Sequence, residues 1–144
     1  MKFRAYDKQE KKLYKPDTMG ELFYLFALTM DGRLGRFNED LGKYETCDPD
    51  RYVVEFSTGL KDKNGVEIYE GDIVIIGATS SVIKYFPKYG MFGLAGKSAY
   101  RKFDESEPMG SGGSSTRYKP YVLSEHYQRR IEVIGNIHDK NKEQ

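Results

Sequence analysis

The chain lacks most of what the commonest chemistries need. Cys47 is its one cysteine, so no intramolecular disulfide forms and a reducing cytoplasm suits it best. The two histidines, His126 and His138, stand in no metal-ligand spacing, and Cys47 has neither a cysteine nor a histidine near it. No serine sits in a nucleophile elbow and no pair of carboxylates is set apart for acid and base roles. No metal or cofactor is expected, and an enzyme ranks third, behind two binding readings. Net charge is close to absent: 23 Lys and Arg face 22 Asp and Glu, which removes the case for a general polyanion binder. No apolar run approaches the ~20 residues of a membrane span, so no membrane partner is expected. The opening MKFRAYD has no apolar stretch of the signal-peptide kind, and is expected to begin a soluble cytoplasmic protein.

Two motifs fail on spacing. Gly90 to Ser98 has the look of a phosphate loop, but five residues separate Gly90 from Gly96 where that loop has four. Phe92 and Leu94 between them suit a strand. The acidic cluster from Asp62 to Asp72 suggests a calcium loop, which requires glycine at its sixth position. Counting from Asp62, Gly65 is fourth and Glu67 is sixth, so a solvated turn is the expectation.

Tyrosine and phenylalanine are plentiful, 12 and 8 in 144 residues. With scattered glycines between short apolar runs, they point to a mainly β protein with many turns. A single domain over 1–144 is expected, large enough to bury a core without staples. Strands are predicted over Lys2–Tyr6, within Leu22–Met30, and over Arg33–Phe37, Tyr52–Phe56, Ser81–Phe86, Met91–Leu94, Ala99–Phe103 and Ile131–Ile137. Asp31-Gly32 is a hairpin turn. Asn38–Arg51 reads as polar, with an exposed loop at Asp48-Pro49-Asp50. The Gly/Ser-rich stretch 106–116 reads as a mobile surface loop. One short helix is predicted, over Pro120–Gln128.

The richest segment is Thr58 to Val74, TGLKDKNGVEIYEGDIV. Gly59 supplies the positive φ of a reversal after the extended run Tyr52–Phe56. Asn64-Gly65 is the strongest hairpin dipeptide. Val66 and Ile68 alternate with Glu67 and Tyr69. Glu70-Gly71-Asp72 turns the chain again, and Ile73–Ile76 reads as a strand buried on both faces. With KFRAYD at Lys2–Asp7 and EVIGNI at Glu132–Ile137, this segment resembles the YopX family of bacteriophage and prophage proteins. The three motifs occur in the family's order, and only Tyr6 departs, where the family pattern has tryptophan. The resemblance implies an SH3-like barrel or roll core with additional strands, and a place in the cytosol of a bacterial host.

Among the matching positions Arg4, Asp7, Asp62, Glu70, Asp72 and Asn136 are polar and close to predicted strands. Most are expected in a buried network of ion pairs and hydrogen bonds, with Asp62 as a turn residue, because buried charges persist when paired. Arg4 is expected to pair with Asp72 or Glu70. A polar ligand site is the alternative.

Charge is not evenly spread. Val82–Phe103 carries five basic residues, Lys84, Lys88, Lys97, Arg101 and Lys102, and no acidic one. Aromatics, Tyr85 and Tyr89 among them, lie between. Cations that neutralise phosphates beside rings that stack on bases would make a single-strand nucleic-acid surface. A solvated strand face, with lysine stems covering apolar surface, is the competing reading. Protein association is the other binding class. The run LFYLFAL at Leu22–Leu28 suits either a core strand or a subunit interface, and unpaired strand edges recruit other chains, copies of the same chain included.

Overall fold

The computed structural model describes residues 2–16, 24–87, 90–96, 110–111, 119–120 and 129–139. They form thirteen strands and no helix, in sheets with a half-barrel curl. The strands are β1 Phe3–Asp7, β2 Lys12–Tyr14, β3 Phe26–Leu28, β4 Leu34–Asn38, β5 Lys43–Thr46, β6 Tyr52–Lys61, β7 Glu67–Tyr69, β8 Asp72–Ile76, β9 Thr79–Phe86, β10 Met91–Gly96, β11 Gly110–Ser111, β12 Lys119–Pro120 and β13 Ile131–Asn136. All pairings are antiparallel. The chain divides into two compact units, Met1–Phe56 and Ser57–Gln144.

In the first unit β1 lies between β2 and the first half of β6, with Arg4 opposite Glu55 and Ala5 opposite Val54. A second sheet has the order β3-β4-β5. Asp31-Gly32 makes the β3–β4 turn as predicted: Gly32 has φ +85° and its N–H donates to the Thr29 carbonyl. Ala5, Leu34 and Tyr52 form the buried centre, with Phe3, Phe26, Leu28, Cys47 and Val54 packed around it. The described part of the LFYLFAL run begins at Tyr24; its strand residues Phe26–Leu28 are half-buried at a sheet edge. The polar segment 38–51, in which no strand is predicted, contains β5. Nothing apolar alternates in Lys-Tyr-Glu-Thr; β4 imposes the extended conformation by pairing with it.

In the second unit the far half of β6 pairs with β7, and a four-stranded sheet has the order β10-β9-β8-β13. Ile68, Val74, Ile83, Leu94 and Ile131 make its core. Gly59 takes φ +80° without reversing the chain: β6 runs on to Lys61, and its register against β7 shifts between Ser57 and Lys61. A bulge and a reversal ask the same backbone freedom of glycine, which is why the residue alone did not separate them. Gly65 and Gly71 do sit in the predicted turns, at φ +81° and +86°. In β8 Val74 is fully buried, whereas Ile73, Ile75 and Ile76 are half-buried, so the strand is not sealed on both faces. Within the Gly/Ser stretch, Gly110 and Ser111 pair with Pro120 and Lys119. Pro120 thus begins no helix, and the rest of the predicted helix, like Ala99–Phe103, lies outside the described residues.

Candidate functional site

The polar residues singled out in the motifs are held by their own chain. In the first unit, Arg4 and Glu55 face each other across the β1–β6 ladder and form an ion pair, Nε to Oε1, at 2.9 Å. Both are almost fully buried. Glu55 had no signal in the sequence, since its burial follows from a pairing with a residue 51 positions away. Asp7 ends β1. Its Oδ1 accepts the N–H groups of Gln9 and Glu10 at 2.9 and 3.3 Å, which shapes the β1–β2 turn. Arg51 closes on the same carboxylate as a fork, Nε to Oδ1 at 2.9 Å and Nη2 to Oδ2 at 2.7 Å. The Arg51 hydrogen bond pulls the Asp7 carboxyl down to about 2, against the upward push of burial, and the two turn amides add to the lowering.

Beside this pair the rings of Tyr14 and Phe26 lie 5.0 Å apart and those of Phe26 and Tyr52 5.8 Å apart. The Arg36 guanidinium lies over the Phe26 ring at 5.5 Å and donates to the Tyr52 hydroxyl at 3.1 Å. These contacts join the two sheets of the first unit through packing and cation–π attraction. A mostly apolar cavity of about 180 Å³ opens among Arg33, Leu34, Cys47, Pro49, Tyr52 and Val54. Burial pushes the Cys47 thiol up, away from the thiolate that makes a cysteine reactive.

In the second unit Asp62, 4% exposed, is a hub. Oδ1 accepts from the Asn64 and Val66 amides, each at 2.8 Å, and Oδ2 from the Val133 amide at 2.9 Å. One carboxylate thus shapes the Asn64-Gly65 turn and fastens it to β13. The Lys63 amide adds a bond to the Ile131 carbonyl at 3.0 Å, and its Nζ reaches Glu132 at 3.2 Å. With its oxygens accepting from three backbone donors, Asp62 is a structural group, buried and not part of a solvated turn. Asp72 caps its own turn by accepting the Tyr69 amide at 2.8 Å, and Glu70 is half-buried in that turn. The Ile137 amide bonds the Gly71 carbonyl at 2.9 Å. Asn136 accepts from the His138 amide at 2.8 Å and donates its own amide to Asp139 at 3.1 Å. No group of three or more His, Cys, Asp or Glu side chains is placed to hold a metal among the described residues.

Of the basic-aromatic residues, Lys84 and Tyr85 are described; Lys88, Tyr89, Lys97, Arg101 and Lys102 lie outside the described residues. Adjacent positions on β9 place Lys84 and Tyr85 on opposite faces. Tyr85, 44% exposed, packs edge-on against Phe92 of β10 with centroids 5.3 Å apart. Met91–Gly96, the phosphate-loop near miss, is that strand.

Among the described residues, an open strand edge is the feature the sequence did not announce. In the sheet β3-β4-β5, all four residues of β5 are exposed. The Cys47 amide donates to the Leu34 carbonyl at 2.8 Å, which turns the backbone groups of odd-numbered β5 residues toward β4. The N–H and C=O of Tyr44 and Thr46 therefore point away from the sheet. A row of rings leads to this edge: Tyr24 against Phe37 at 5.6 Å, and Phe37 against Tyr44 at 5.2 Å. Leu41, in the β4–β5 turn, is 56% exposed beside it.

Among solved structures, the chain is similar to that of protein EF1440 from Enterococcus faecalis. The two are 25% identical, with a TM-score of 0.55 over 98% of this chain and 95% of that one. No curated protein matches it. The family model described as YopX protein matches residues 2–142, nearly the whole chain. By that match the chain belongs to the YopX family.

Proposed function

We propose that this protein is a non-enzymatic binding module of phage or prophage origin. It acts in the host cytosol by associating with proteins, copies of itself included, and its strands form an SH3-like barrel or roll core. The observation that carries the reading is the β5 edge. Backbone donors and acceptors in a row, flanked by Tyr44 and Leu41, are what a strand from another chain pairs with. The motif polar groups support it from the other side, because their hydrogen bonds are used in holding turns and strands together.

Thr46→Pro tests this. It removes an outward N–H and leaves the β4–β5 bonds of Glu45 and Cys47 in place. The purified wild-type chain and the variant are each presented to phage and host proteins, and the retained proteins, added copies of the chain included, are identified. Retention of a protein by the wild type and its loss with Thr46→Pro is the expected result. The same proteins retained by both sinks the reading.

A second reading rests on exposed Tyr85, which is backed edge-on by half-buried Phe92 and whose ring offers a stacking surface to single-stranded DNA or RNA. Lys84, Lys88, Lys97, Arg101 and Lys102 would supply the phosphate contacts. Fluorescence anisotropy against labelled strands over a salt series tests it. Binding that weakens steeply with salt and falls on Tyr85→Ala supports this reading, and no binding at low salt removes it.

A further inference from the structure

We infer that the β5 edge pairs with the β5 edge of a second copy of this chain, antiparallel about a two-fold axis through Tyr44. The inference rests on the association reading above and names its partner. Outward backbone groups belong to Tyr44 and Thr46, so an added antiparallel strand meets β5 in a register that satisfies even-numbered residues.

A symmetric pair has four centres to choose from within β5. Centring on Lys43 puts lysine opposite lysine, and centring on Glu45 puts glutamate opposite glutamate. Centring on Thr46 leaves Glu45 opposite Cys47. Centring on Tyr44 places Lys43 opposite the partner's Glu45 and Glu45 opposite the partner's Lys43, two complementary pairs for one register. The charges that discourage indiscriminate pairing at an edge thus favour this one arrangement.

The face opposite the charges agrees. Tyr44 packs against Phe37 and its hydroxyl donates to the Tyr24 carbonyl, so its ring lies back over its own sheet, and its exposed side would lie beside its counterpart in the second copy. Leu41 lies at the flank of the joined edges. The result is a six-stranded sheet made from two copies of β3-β4-β5. The paired segment is short, so the dimer should be weak and depend on concentration.

Sedimentation velocity of the full chain over a concentration series tests the pairing. The wild type should pass from monomer to dimer as concentration rises. Lys43→Glu, which sets glutamate against glutamate at both pairs, should weaken the dimer on the order of tenfold, as should Glu45→Lys. The double variant Lys43→Glu/Glu45→Lys restores complementarity and should recover the wild-type affinity. Circular dichroism checks that each variant is folded, and both positions of change are exposed. A monomer at every concentration, or a dimer indifferent to both single reversals, overturns the inference. In that event, loss of another retained protein with Thr46→Pro keeps the association reading, whereas no effect of Thr46→Pro removes both.

Discussion

Asp62 offers the sharpest test of what the central motif does. Its carboxylate serves three backbone donors, two in its own turn and one on β13, 71 residues away. Asp62→Ala removes all three bonds. Asn64 and Val66 are exposed, so water replaces most of what their amides lose, at about 0.5 kcal/mol each. The Val133 amide is half-buried within the sheet and loses a charge-assisted partner, at about 2 kcal/mol. The sum, about 3 kcal/mol, corresponds to a fall of roughly 6–12 °C in Tm for a chain of this size. Asp62→Asn is the discriminating change. One amide oxygen keeps the turn bonds, but the NH₂ group then faces the Val133 N–H, donor against donor. Asparagine should therefore recover about 1 kcal/mol at most over alanine. Urea denaturation followed by circular dichroism gives the energies, and hydrogen exchange at the Val133 amide localises the loss. If Asp62→Asn is as stable as the wild type and the Val133 amide is equally protected, the bond to β13 contributes nothing and the hub assignment fails.

Two further outcomes follow from the first unit. Arg4→Ala takes the Arg4 guanidinium from Glu55, 3% exposed, and should cost about 3–5 kcal/mol, while Arg4→Met with Glu55→Leu should cost much less; urea titration of the three chains decides. An unchanged melting temperature in Arg4→Ala would refute the structural role of the pair. Asp7 titrates at about 2 in the folded chain against 3.8 ordinarily, so its contribution is complete above pH ~4 and lost as pH falls through ~2. Asp7→Asn should accordingly flatten the fall of Tm between pH 4 and 2, and identical slopes for the two chains would contradict the Arg51 fork.

The sequence made local geometry legible and long-range pairing much less so. Gly65 and Gly71 occupy the positive-φ turns that Asn-Gly and Gly-Asp foretold, because those turn types admit few other residues. Asp62 could be read as a turn residue from its neighbours, but not as a clamp on Val133, which lies far along the chain. Glu55 went unnoticed for the same reason: it looks like any strand glutamate until β6 is laid against Arg4. Arg4 itself was read as buried and paired, which is how it stands, with Glu55 as its ion-pair partner. Edge strand β5 was missed because a strand with neither face buried has no periodicity to show. Adjacency on β9 sets Lys84 and Tyr85 on opposite faces, a separation that a count of charges along the chain does not convey.

These observations also divide the chain by purpose. A carboxylate filled by three backbone amides, or locked in a guanidinium fork, has few hydrogen bonds left for a partner. Asp62 and Asp7 are in that condition, and the Arg4–Glu55 pair is sealed from solvent. The residues through which the chain resembles its family thus fix turns, registers and buried pairs. Recognition has to draw on exposed groups, and among the described residues the outward backbone groups of β5 with Leu41, and the Tyr85 ring, meet that requirement. Both lie between the three motifs and not within them. Substitution in β5 should therefore change association at little cost in stability, whereas substitution of Asp62 should do the reverse. A variant set drawn from the two groups, assayed for both properties, would separate framework from function in a way that neither property alone can.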